Sequence, residues 1–138
     1  MKRVYQVAAV LVLLLTFVVG RESLAVTSGA AVPDRLEIMF GQEGGISTTV
    51  ATIDDSLQVR RIYAMLLALP DFPAEQLYCP NDNGKIYTVH FLKGNRLVLE
   101  ATVRATGCRD VTVLHGRKLW AGRPEASTFW DQLDALIE

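Results

Sequence analysis

Lys85-Ile86-Tyr87-Thr88-Val89-His90-Phe91-Leu92, then Lys93-Gly94-Asn95, then Arg96-Leu97-Val98-Leu99-Glu100-Ala101-Thr102-Val103-Arg104-Ala105, is the stretch that decides the fold. Tyr87, Val89 and Phe91 fall on one side of an extended chain. Leu97, Leu99, Ala101 and Val103 fall on one side of the next. Lys93-Gly94-Asn95 reads as a three-residue hairpin loop with glycine inside it. Pairing Leu92 with Arg96 sets Phe91 opposite Leu97, Val89 opposite Leu99 and Tyr87 opposite Ala101. Every apolar pair then shares one face, as a half-buried hairpin requires. A two-residue loop would set Phe91 opposite Val98 and put the faces out of phase.

The same register, run past the strand ends, brings residue 80 opposite residue 108. Cys79 and Cys108 are the only cysteines, and this makes them near neighbours at one end of the sheet. A disulfide is the expectation, closing a loop of about 30 residues worth roughly 3–4 kcal/mol in the chain-entropy account. The rival is a zinc site from Cys79, His90, Cys108 and His115. Their spacing lacks the close ligand pairs of zinc motifs, so no metal is expected.

Around this hairpin the chain reads as ββα-ββββ-α. Leu36, Ile38 and Phe40 alternate in a first strand, Gly41–Gly45 is a loop, and Ile46–Ile53 is rich in β-branched residues. Asp54-Asp55-Ser56 supplies capping side chains for a helix to Leu69, with Val59, Ile62, Tyr63, Leu66 and Leu69 on one face. Pro70 and Pro73 end it. Residues 74–84 form a loop that finishes in the turn-rich Pro80-Asn81-Asp82-Asn83-Gly84. Val111–Leu114 is a strand expected to set Val113 opposite Val103, and Lys118–Ala121 a short last strand. Pro124 and Glu125 open a helix with Ala126, Phe129, Trp130, Leu133, Leu136 and Ile137 on one side. The expected fold is an α+β domain, an antiparallel sheet with two helices packed on it and one disulfide. The alternative is a profilin-like sheet with helices on both faces.

The whole chain is 138 residues, 50% hydrophobic, with net charge −1. That average mixes two segments. Lys2 and Arg3 precede the apolar run Val7–Val19, and Ser23-Leu24-Ala25 offers a small-residue cleavage triplet, the pattern of a secretory signal peptide. Thirteen apolar residues span about 20 Å as a helix, short of the roughly 30 Å hydrocarbon core. An uncleaved membrane anchor would need residues 4–20. Residues 1–25 are therefore read as a signal peptide or N-terminal anchor, 26–34 as a short tether and 35–138 as one extracytoplasmic domain, secreted or held at the cell surface. Residues 26–138 carry 11 basic and 14 acidic side chains. Nucleic-acid binding is not expected from so weakly acidic a surface.

No catalytic set assembles from the sequence. No Gly-x-Ser-x-Gly elbow is present, and Ser56 and Ser127 fall at helix starts where caps belong. Asn81-Asp82-Asn83-Gly84 resembles part of a calcium loop, but that alignment makes Cys79 the first ligand and His90 the last. Asp54 with Asp55 fits a helix start, and Asp131 with Asp134 the polar side of the last helix. No catalytic residue, metal or cofactor is expected.

The outer face of the sheet carries the candidate site. Thr88, His90, Val98, Glu100, Thr102, Arg104 and Thr112 point away from the core, with Trp120 expected beside Thr112. The candidate binding surface is Trp120, His90, Glu100, Arg104 and Thr112, because an aromatic side chain among such groups suits partner binding. A bulge or a one-residue slip would instead return Trp120 to the core. The leading functional expectation is a non-enzymatic binding domain for an unknown protein or small molecule outside the cytoplasm. The alternatives are a small hydrolase using His90 or His115 as base, and a protease-inhibitor-like module presenting residues 74–84.

The sequence Leu66-Leu67-Ala68-Leu69-Pro70, Cys79-Pro80-Asn81-Asp82-Asn83-Gly84, Tyr87-Thr88-Val89-His90-Phe91 and Gly107-Cys108-Arg109-Asp110-Val111 resembles a group of small exported proteins of Gram-positive and related bacteria. Their pattern is a leucine-rich helix ending in Leu-Pro, a Cys-Pro-x-Asp-x-Gly-x-x-Tyr segment and a later Gly-Cys. The resemblance implies bacterial export and the disulfide. It implies no catalytic residue, and this chain lacks the lipid-bearing cysteine of several such proteins.

Overall fold

The structure is a computed structural model and describes residues 31–75, 77–79, 81–113 and 116–137. The leader and most of the tether, together with Leu114 and His115, lie outside those residues. Six strands form one antiparallel sheet: β1 (Arg35–Gln42), β2 (Thr48–Ile53), β3 (Lys85–Lys93), β4 (Arg96–Arg104), β5 (Asp110–Val113) and β6 (Arg117–Trp120). Their spatial order is β2-β1-β3-β4-β5-β6. Helix α1 (Ser56–Leu67) links β2 to β3, and a 3-10 turn (Pro124–Ala126) leads into α2 (Ser127–Asp134). The α+β order read from the sequence is the one that forms.

Period-2 patterning sets the inner face. Leu36 and Ile38 of β1, Val89 and Phe91 of β3, Leu99, Ala101 and Val103 of β4, Val111 and Val113 of β5 and Leu119 of β6 are all buried. They form one cluster with Val59, Ile62 and Leu66 of α1 and Phe129, Trp130 and Leu133 of α2. Both helices therefore cover the same face, and the profilin-like alternative does not form. Each such side chain contributes about 1.5–3 kcal/mol on burial. Asp55 starts α1, its carboxylate accepting from the Leu57 N–H at 2.9 Å, a cap worth about 1 kcal/mol. The helix ends at Leu67, two residues before the expected Leu69.

The central hairpin keeps the expected inner face except at Leu97, and it does not keep the expected partners. Lys93 pairs with Arg96, leaving a two-residue loop, and Phe91 faces Leu99 where Leu97 was expected. Gly94 has a φ of 57°, the left-handed first position that a type II′ turn requires. A bulge then absorbs Val98 between the Leu92–Leu97 and Phe91–Leu99 pairs. The bulge restores the phase that a two-residue loop alone would break. Leu97 is left 45% exposed as a result. The β4–β5 pairing is displaced by two residues in the opposite direction, and Val103 faces Val111 and not Val113.

Two further boundaries move. Ile46, expected in a strand, is 93% exposed in the loop before β2. At the other end of the supposed tether, Pro33 is buried and Asp34 accepts from Lys93 Nζ at 2.7 Å and from the Gly94 N–H at 2.9 Å. Those bonds clamp the domain's entry onto the β3–β4 turn.

Candidate functional site

The open face of the sheet presents its polar side chains in rows. Thr102 faces Thr88 and Thr112, and Thr112 faces Lys118. His90 faces Glu37 on one side and Glu100 on the other. Its Nε2 lies 3.0 Å from Glu100 Oε2. Arg104 is four residues further along β4 than Glu100, about 13 Å at the rise of a strand. Trp120 faces Asp110 and not Thr112, a register set by the β5–β6 hairpin's own closing pair, Val113 with Arg117. The five residues expected as a binding surface share this face, but they do not meet at one point.

Arg104 is occupied by its own protein. Its Nη1 and Nη2 donate to the Glu43 carboxylate at 2.8 and 2.7 Å, and Nη1 also donates to Asp82 at 3.0 Å. Its Nε lies 3.3 Å from Asp110 Oδ1. Asp110 is nearly inaccessible, at 8% exposure, so the guanidinium offsets a charge that burial would otherwise disfavour. The Arg104 hydrogen bonds hold Glu43 below its ordinary carboxylate range. The Gly84 N–H, the Thr106 hydroxyl and Arg104 together do the same for Asp82. These bonds push Arg104 further up from an already high value. The cluster ties the β1–β2 loop, the segment before β3, and strands β4 and β5 to one point. Its chemistry is structural, with little capacity left for an external anion.

That point lies next to the disulfide. Cys79 and Cys108 are bonded, with Cα atoms 4.8 Å apart, within the ordinary range. Both thiols are consumed, which removes the sulfur ligands of the zinc alternative. In the observed register the strand path would carry Asp82, not residue 80, to Cys108. The chain before β3 leaves that path, so a loop delivers Cys79. Asp82 fixes the loop: its Oδ1 accepts from the Gly84 N–H at 2.9 Å and from the Thr106 hydroxyl at 2.8 Å.

A groove of about 510 Å³ runs beside the bridge. Leu77, Tyr78, Asn81, Thr106, Arg109 and Trp120 are among the residues that line it. Tyr78 is 99% exposed. Trp120 is half-buried: its indole N–H donates to the Cys108 carbonyl at 3.1 Å, Phe72 meets it edge-on, and the Arg123 guanidinium lies 5.1 Å over its ring. Gly122 packs against that indole with no room for a side chain, since a Cβ there would sit 2.5 Å from the Trp120 indole nitrogen.

The sequence names the 74–84 loop and Trp120 but gives no special weight to Tyr78 or Arg109. Tyr78 could be suspected from its place beside a bridged cysteine. The Arg109 backbone conformation has no local sequence signal. His115, the other expected base, lies outside the described residues. Comparison with protein families, with curated proteins and with solved structures finds no match to this chain, so the site is read on its geometry alone.

Proposed function

We propose that the protein is an exported, non-enzymatic binding domain that recognises a partner outside the cytoplasm. Its recognition surface is the disulfide-pinned rim at Tyr78 and Trp120 more than the open face of the sheet. One observation carries this reading: a tyrosine 99% exposed on a loop that a disulfide and a salt-bridge cluster hold in place. An exposed aromatic on a rigid support loses little entropy on binding and buries a large area, the profile of an interface anchor. The disulfide agrees with an oxidising, extracytoplasmic setting. The leader pattern of residues 1–25 and the likeness to small exported bacterial proteins support export as the route. Among the described residues no helix is long and apolar enough to cross a membrane.

The test is retention of the oxidised protein on surface and culture-fluid fractions of its native host. Tyr78→Ser should lose at least tenfold in retention, whereas His90→Ala and Glu100→Ala should match the unaltered protein. The reverse pattern would move the site to the sheet face.

A second reading, a small secreted hydrolase, draws on the 3.0 Å contact between His90 and Glu100. A base needs a proton to take from a nucleophile or from water in a formed site. Among the described residues no hydroxyl or thiol hydrogen-bonds to His90, and Glu100 holds its Nε2. The binding reading is the better supported.

A further inference from the structure

We infer that Arg109 reads the partner at this rim, and that the partner presents an extended peptide segment carrying carboxylate side chains. The inference rests on the binding reading above and gives its ligand a chemical class. Among the described residues Arg109 is the one non-glycine with left-handed backbone, at a φ of 52°. An L side chain is disfavoured there, and glycine is not. Gly107, in the same loop, does adopt such a φ, at 69°. The conformation at Arg109 is held by its N–H donating to the Thr106 carbonyl at 3.4 Å and its carbonyl accepting from the Ala121 N–H at 3.0 Å. A strained position occupied by a long cation points to a use for the side chain.

The surrounding charge points the same way. Arg104 is saturated by three carboxylates, and these include Asp82 and Asp110, the acids nearest the groove in sequence. Arg109 makes no ion pair among the described residues. Its guanidinium instead lies 5.0 Å over the Trp130 ring. It is the only charged side chain among the groove's described lining residues. A second guanidinium, that of Arg123, lies 5.1 Å over the ring of Trp120, itself a groove residue. Arg109 is exposed, so a guanidinium held over an indole still has N–H groups for a bidentate carboxylate. Trp120 supplies an aromatic surface of the kind that holds an extended peptide backbone, and Tyr78, 99% exposed, projects at the rim. The groove therefore combines aromatic contact with unopposed positive charge, and an acidic extended segment complements both.

The test uses the oxidised protein as exported and two probes, acetyl-Pro-Glu-Pro-Glu-Pro-amide and its Gln counterpart. Binding is followed by backbone amide shifts and tryptophan fluorescence. At low salt the Glu peptide should bind at least tenfold more tightly than the Gln peptide, with the shifts centred on residues 105–109 and 120–123. Added salt should shrink that preference. Arg109→Gly should erase it while the protein still folds, because glycine suits that backbone; Arg109→Gln serves as the second variant. Equal affinity for the two peptides would overturn the carboxylate assignment and leave the rim as a binding surface. No response to either would overturn the inference and count against the rim as well. A preference that survives in both variants would remove Arg109 from the role, and tighter binding of inorganic polyphosphate would overturn the peptide in favour of an anionic polymer.

Discussion

Arg104 and Arg109 stand five residues apart and do opposite things with the same functional group. Arg104 is enclosed by Glu43, Asp82 and Asp110; the Arg109 guanidinium lies 5.0 Å over the Trp130 ring. Removing the first should damage the fold. Arg104→Leu leaves Asp110 nearly inaccessible without its guanidinium, and Lys118 at 3.7 Å is a weaker substitute. A loss of about 3 kcal/mol in urea unfolding at neutral pH is expected, at the low end for breaking a buried pair. The pH dependence has a definite sign. Glu43 and Asp82 titrate below their ordinary values in the fold, so they contribute stability above about pH 4 that is lost as pH falls through their lower folded values. Melting temperature should therefore drop from about pH 4 downward in the unaltered protein. In Arg104→Leu that drop should be shallower, and an unchanged slope would show that the guanidinium does not hold these carboxylates down.

At the scale of elements, the disulfide secures a loop that no strand pairing reaches. Cys79→Ser with Cys108→Ser should cost roughly 3–4 kcal/mol by the entropy of a 30-residue loop, and limited proteolysis should then cut first within residues 74–84. A loss below about 1 kcal/mol would mean that the Arg104 cluster alone anchors the loop. The two sheet edges are also treated differently. Segment 70–72 covers β6, with Trp120 N–H donating to the Pro70 carbonyl at 2.8 Å and Phe72 N–H to the Lys118 carbonyl at 3.0 Å. β2 is short and bulged against β1 between Ile38 and Met39, a feature that discourages edge pairing.

Across the whole molecule, period-2 and period-3.6 patterns in the sequence carry the element order and the inner face, while the disulfide follows from there being only two cysteines and not from the strand register. They carry them because burial depends on which face a side chain takes, and a shift of two residues leaves faces unchanged. The same insensitivity is why the register is misread. Either pairing keeps Val89, Phe91 and Leu99 on the inner face and only Leu97 loses its place there, so the turn at Gly94 and the bulge at Val98 choose between them. The candidate site suffered more. Its residues are set by loops, by a left-handed Arg109 and by long-range ion pairs such as Glu43 to Arg104, none of which leaves a periodic trace. His90 and Glu100 were legible as sharing the outer face because strand alternation fixes it, but their direct pairing was not, since the expected register sets His90 opposite Val98. Tyr78 was not, because its exposure comes from what the disulfide and the Asp82 bonds do to the chain on either side.

The central claim is that the partner meets the disulfide-pinned rim and not the open sheet. Site-specific photo-crosslinking in the native host tests it most directly, with p-benzoylphenylalanine placed at position 78 in one protein and at position 90 in another. A discrete cross-linked adduct from position 78, absent from position 90, is the result the rim predicts. An adduct from position 90 with none from position 78 would contradict it and return the site to the sheet face.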